Sequence, residues 1–190
     1  MARSLLALLG AGLIAAATPT SASATTLVLD GASRPRPYQS WIDGARAPLP
    51  TGRVQLHLAR CPGAPVWAAG CADLDGDAIY LTQAARSPDR LLHEVGHFFD
   101  DAAMTPRLRA RFARLIGRRG GWDAPAQTDP PSEQFAEAYS LCARHRTLSG
   151  WYFGMYAYAP SPTVHAAACA LIREAARAAR PSARGAGSSA

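Results

Sequence analysis

Five consecutive residues, His93-Glu94-Val95-Gly96-His97, put two imidazoles and a carboxylate within a little over one helical turn. Residues four apart on an α-helix project from the same face, so His93 and His97 can meet one cation. Neutral imidazole is a good ligand for Zn2+, and Glu94 between the two histidines is placed to take a proton from water polarised by such a metal. Leu91, Val95, Phe98 and Ala102 recur at helical spacing beside them. That apolar stripe predicts a helix buried on one side, with the histidines at the edge of the buried face. The bland alternative is two surface histidines on an ordinary amphipathic helix.

A metal that does chemistry needs a third protein ligand. The continuation His-x-x-Gly-x-x-His is absent, because Asp100 and Ala103 stand where it needs Gly and His. The better source is Glu133-Gln134-Phe135-Ala136-Glu137-Ala138-Tyr139. Glu133 and Glu137 are one turn apart, so one carboxylate can meet the metal while the other supports a ligand. Phe135 and Tyr139 share that spacing and are expected to pack inward. Asp123 and Asp129 are rival third ligands. Asp101 continues the His93/His97 spacing and either orients a histidine or bonds at the helix end. Asp73, Asp75 and Asp77 surround Gly76, but a calcium loop of the helix–loop–helix kind needs its Gly at position six and Glu at twelve. Here the Gly is fourth and Ala84 is twelfth, so a solvated turn is expected.

Taken together, HEVGHFFDD and EQFAEAY resemble the gluzincin metallopeptidases, in which HExxH is followed on a later helix by a glutamate ligand. More narrowly they are similar to the catalytic domain of the group that includes anthrax lethal factor and the Pro-Pro endopeptidases. The likeness covers these two motifs and no more of the chain. It implies a zincin-like domain that hydrolyses peptide bonds in a peptide or protein substrate. His93, His97 and Glu133 would hold Zn2+, Glu94 would be the general base, and Glu137 would hydrogen-bond a ligand histidine. Those relatives carry a tyrosine seven residues before the ligand glutamate, for the oxyanion of the tetrahedral intermediate. Here that position is Ala126. Tyr152, Tyr156, Tyr158, His145 and His165 are the downstream groups that can replace it. Gluzincins of the thermolysin kind use a downstream histidine, which makes His165 a candidate beside Tyr156.

The elements that must position these groups read as strands followed by helices, an α+β domain with a small sheet on the metal-bearing helix. Thr26–Leu29, Val54–Leu58 and Ala78–Leu81 are β-prone, and Tyr38, Trp41 and Ile42 predict a short helical turn. Ser87-Pro88 and Thr105-Pro106 each pair an N-cap residue with proline at the first helical position. The first of these helices should run to about Ala102, and the second to the Gly120-Gly121 pair. Asp129-Pro130-Pro131-Ser132 opens a third helix, and residues 163–180 form a last one.

At 190 residues the chain is expected to fold as one domain. Arg3, the apolar run from Leu5 to Ala17 and the small residues Ala22-Ser23-Ala24 have the order of a signal peptide over residues 1–24. The folded domain should then span 25–180, with a Gly/Ser/Ala-rich tail at 181–190, and the protein should be secreted, off the membrane and monomeric. In an oxidising compartment Cys61, Cys71, Cys142 and Cys169 favour bridges over thiolate metal ligation. The local pairing Cys61–Cys71 and Cys142–Cys169 links segments already near in sequence. All 20 basic residues are Arg, giving a net charge of +6. Without stacking aromatics or a recognisable binding module, this reads as a solvated cationic face and gives no nucleic-acid partner. Two other functions fit the same features, a disulfide-stapled zinc-binding protein without activity and a zinc amidase acting on cell-wall peptides.

Overall fold

The computed structural model describes residues 26–29, 37–66, 68–124 and 129–179. The expected leader, the 181–190 tail and Ala126 lie outside them. β1 (Thr26–Leu29), β2 (Arg53–His57), β3 (Gly70–Asp73) and β4 (Ala78–Leu81) form one sheet in the order β1-β2-β4-β3. β1, β2 and β4 run parallel, pairing Leu27 with Val54 and Leu56 with Ile79, while β3 lies antiparallel to β4 with Cys71 opposite Tyr80. The helices are α1 (Tyr38–Asp43), α2 (Pro88–Ala103), α3 (Pro106–Leu115), α4 (Pro131–Arg144) and α5 (Pro162–Ala179). The domain is therefore mixed α and β.

Helix α2 is central, touching β3 and β4 on the sheet and α1, α4 and α5 among the helices. Pro88 fixes the φ of its first residue, and Asp89 adds a negative charge where the helix dipole is positive. Ser87 has the extended backbone of an N-cap but makes no side-chain cap bond, whereas Thr105 accepts from the Leu108 N–H and caps α3. The buried face of α2 is Leu91, Leu92, Val95 and Phe99. Phe98, expected in that stripe, is half-buried, because the stripe turns with the helix by one position in its second half. Burying those four side chains stabilises the domain by roughly 6 kcal/mol or more. Gly96 in the helix interior costs about 1 kcal/mol relative to Ala, so burial decides the helix.

Gly96 is there for a packing reason. A Cβ on it would stand 2.9 Å from Ala136 Cα and 3.1 Å from Ala136 O, so α2 and α4 approach backbone to backbone. Around this crossing Phe99 packs on Phe135 and Tyr139, and Tyr139 donates its hydroxyl to Pro48 O at 2.8 Å. Disulfides join Cys61 to Cys71 and Cys142 to Cys169, the local pairing. The first ties β3 to the preceding loop, and the second ties α4 to α5.

Two elements differ from the sequence expectation, and the Asp-rich segment agrees with it. β3 was not anticipated. α3 stops at Leu115, because Gly117 adopts φ +69° and takes the left-handed position that ends a helix. The Asp-rich segment is a turn, closed by the Gly76 N–H donating to Asp73 Oδ1 at 3.0 Å. Among the described residues no helix is long and apolar enough to cross a membrane.

Candidate metal centre

The α2–α4 crossing brings together the two motifs that lie 40 residues apart. His93 Nε2 is 3.1 Å from Glu133 Oε2, and His97 Nε2 is 3.7 Å from the same oxygen. The donor atoms of His93, His97 and Glu133 all lie within 4.8 Å of one another. Four ligands at about 2.0–2.1 Å around a tetrahedral ion stand about 3.4 Å apart, and the two measured separations bracket that value. The donor set and its spacing thus suit a single metal ion.

Glu137, one turn after Glu133, is buried and directs Oε2 at His93 Nδ1 across 3.4 Å. That contact is longer than a strong hydrogen bond, yet neither atom has a closer polar partner. The arrangement fixes which ring nitrogen of His93 faces the cavity. Glu94 lies in the wall of a cavity of about 250 Å³ shared with His93, His97, Glu133, Asp123 and Tyr156. Its carboxylate rests against β3, where a Cβ on Gly70 would come within 2.9 Å of Oε1.

Charge and burial act in opposite senses on these groups. Burial pulls the His93 imidazole towards neutrality, but hydrogen bonds with Glu133 and Glu137 and the charge of Glu94 outweigh it and hold its pKa up at about 9. Burial pushes the Glu94 carboxyl above its ordinary value against the pull of His93 and His97. Burial also acts to raise Glu133, but its bonds to His93 and His97 prevail and hold it well below the usual carboxylate range. A carboxylate kept ionised beside a more basic neighbouring carboxylate is a division of labour suited to ligand and base.

Two expected site residues are placed elsewhere. Asp101 is exposed and faces the opposite flank of α2 near Phe98, Thr51 and Arg53. Eight residues from His93 is about 80° around the helix, whereas Asp100, seven residues on, is about 20° away. Asp100 is accordingly the buried one. It accepts from Trp122 Nε1 and from Arg109 Nε, each at 2.8 Å, and Trp122 O in turn accepts the Ser132 N–H. This chain of bonds ties the start of α4, which carries Glu133, to α2.

His165 is also displaced from the centre. It is fully buried on α5 against the Cys142–Cys169 bridge, with Nε2 3.0 Å from His145 O and Nδ1 3.7 Å from Cys169 Sγ. Cys142 lies nine residues along α4 from Glu133, about 13 Å of helix rise. Cys142, His165 and Cys169 converge closely enough to hold a metal. Their sulfurs are joined to each other, and a disulfide offers no thiolate. Tyr156 does reach the centre, stacking on His93 with ring centroids 5.2 Å apart.

Sequence reasoning missed Gly70, Asp100, Trp122 and Gly154, and offered Tyr152 only as a candidate oxyanion donor. Tyr152 and Gly154 pack against Glu137, with the Tyr152 hydroxyl donating to Oε1 at 3.3 Å. Glycine at 70 and 154 was the available signal, since each marks a close approach of backbone to a carboxylate. Compared with known proteins, the chain matches no protein-family model, no curated protein and no solved structure.

Proposed function

We propose that this chain is a secreted zinc-dependent peptidase, zincin-like in fold, with His93, His97 and Glu133 as metal ligands. The observation that carries the reading is the convergence of those three donors, all within 4.8 Å of one another, with Glu94 in the wall of the same cavity. Two imidazoles and one carboxylate with room for a further ligand are the donor set of a catalytic zinc site. Zinc bound there supplies a Lewis acid for a peptide carbonyl. Glu94 takes the proton of the attacking water and delivers it to the leaving amine. Glu137 orients His93, and the hydrogen-bonded chain Asp100–Trp122–Ser132 holds Glu133 in place.

Two bridges and the lack of a membrane-crossing helix among the described residues fit an extracellular setting. The test is metal analysis together with cleavage of casein, a proline-containing peptide and peptidoglycan fragments. Wild type is expected to hold one zinc per chain and Glu133→Ala to lose it. Unchanged zinc in that variant would move the third ligand elsewhere. Zinc without cleavage of any substrate would leave a binding protein, and cleavage of the cell-wall fragments alone would make it an amidase.

The same site predicts how zinc affinity varies with pH. His93 must be neutral to bind metal, yet in the metal-free protein it keeps its proton up to about pH 9. Zinc loading at pH 7 should release about one proton from this histidine, and apparent affinity should rise about tenfold per pH unit from 7 towards 9. An unshifted histidine would already be deprotonated and the curve would level off near pH 6.5. Titration in weakly buffered solution checks this, and an affinity flat between pH 7 and 8.5 would reject the pairing of His93 with the two glutamates.

A further inference from the structure

Polar contacts continue from Glu137 away from the cavity. Tyr152 donates its hydroxyl to Glu137 Oε1 at 3.3 Å, and Arg144 Nη2 donates to the oxygen of that hydroxyl at 3.5 Å. Glu137 Oε2 faces His93 Nδ1 at 3.4 Å. A line of polar groups thus runs from Arg144, the last residue of α4, to a histidine of the metal centre. Chemistry fixes the direction of each bond. A guanidinium only donates and an ionised carboxylate only accepts, so the hydroxyl between them takes from one and gives to the other.

Local structure puts these groups together. Arg144 follows Glu137 by seven residues, two turns later and about 20° around the helix. Side chains on a helix lean towards its N-terminus, so the guanidinium reaches back along α4 towards the carboxylate. The loop bearing Tyr152 closes over both. A Cβ on Gly154 would stand 2.6 Å from Glu137 Oε1 and 2.7 Å from Tyr152 Cε1, so the backbone there presses carboxylate and ring together. The Gly154 N–H donates to Tyr158 O at 2.9 Å and the Tyr152 N–H to Pro160 O at 3.3 Å, which pins the loop in that position. Arg144 Nε is buried with no hydrogen-bond partner. A buried charge needs compensation, and the carboxylate that this line reaches is Glu137.

We propose that Arg144 and Tyr152 are positioning residues for the metal centre and act through Glu137. Arg144 holds the Tyr152 hydroxyl and polarises it, which strengthens its bond to Glu137 Oε1. With that oxygen fixed, Oε2 is left for His93 Nδ1, and the histidine keeps Nε2 turned to the cavity. Neither residue touches the metal or a substrate. The assignment rests on the metal-ligand reading above and needs no hydrolysis. All three contacts are long, so none is strong alone, and loss of one releases the next.

Tyr152→Phe keeps the ring and removes the hydroxyl. Its zinc affinity, read by competition with a chromophoric chelator, should fall about tenfold, the lower end of the effect of outer-shell partners. The decisive readout is coupling. With Glu137→Gln already in place, Tyr152→Phe should change zinc affinity by less than about twofold. Arg144→Gln, at the outer end of the line, should weaken zinc in the wild-type background and add less than about twofold to Tyr152→Phe. A purely structural loss would lower the melting temperature of the metal-free protein and weaken zinc equally whether residue 137 is Glu or Gln. That equality would overturn the assignment, as would wild-type zinc affinity in both Tyr152→Phe and Arg144→Gln. A wild type that binds no zinc, or a Glu133→Ala protein that keeps it, overturns the metal-ligand reading and this one together. Zinc held through Glu133 but bound equally well by Tyr152→Phe overturns this one alone.

Discussion

Glu94→Gln is expected to lower peptide cleavage by about 1000-fold, equivalent to about 4 kcal/mol of barrier, while the protein keeps its zinc. Glutamine has nearly the same shape, so packing against Gly70 and the α2 face is preserved. What is lost is an acceptor for the proton of the attacking water. The nearest other carboxylates cannot take over: Glu133 is held well below the usual carboxylate range by the two histidines, and Glu137 is engaged with His93 and Tyr152. Metal retention follows because Glu94 is outside the donor group. Removing its negative charge also removes one of the influences that keep His93 protonated, so zinc binding should not weaken. Cleavage and bound zinc are read on the same folded sample, and a Glu94→Gln protein that cleaves at the wild-type rate would reject the mechanism.

Replacing both Cys142 and Cys169 by Ala should destabilise the domain by about 3.6 kcal/mol through loss of a loop constraint on the unfolded chain. The bridge spans 27 residues, whereas Cys61–Cys71 spans 10, for which the same relation gives about 2.8 kcal/mol. At about 2–4 °C per kcal/mol for a chain of this size, the double variant should melt about 10 °C lower. It also removes the packing partner of His165, the buried imidazole between α4 and α5. Zinc content should hold, since Glu133 sits at the other end of α4. Calorimetry of the oxidised proteins checks this, and a melting point within 2 °C of wild type, on the order of half a kcal/mol, would show that the bridge constrains nothing.

The helices were legible because proline, N-cap residues and apolar spacing agree locally. Pro88, Pro106 and Pro131 each stand at a first helical position, where α2, α3 and α4 begin, whereas α5 begins at Pro162, one residue before the expected start. The pairs His93/His97 and Glu133/Glu137 were legible for the same reason, as each follows helical periodicity within its own segment. β3 was not, because Gly70-Cys71-Ala72-Asp73 has no alternation to read and all four residues are only half-buried. Its pairing with β4 is a tertiary fact. The contrast between Asp100 and Asp101 was missed through treating four residues as a whole turn, an error that doubles over two steps. His165 and Tyr156 could not be separated in sequence, since their distances from His93 depend on how α5 and the loop fold back over α4.

The absent side chain at Gly96 acts as a gauge. Helices normally pack 8–10 Å apart, at a separation set by the side chains between them. Where one helix contributes only a hydrogen atom, the gap between His93 and Glu133 is scaled by contact of Gly96 with the Ala136 backbone. The frame thus stands at its shortest setting, and one methyl group would lengthen it by a few tenths of an ångström. Oxygen ligands lie at about 2.3–2.6 Å from Ca2+ but at about 2.0–2.2 Å from Zn2+, a difference of similar size. Under the proposed zinc reading, this backbone contact would bear on cation size alongside the chemistry of the donors.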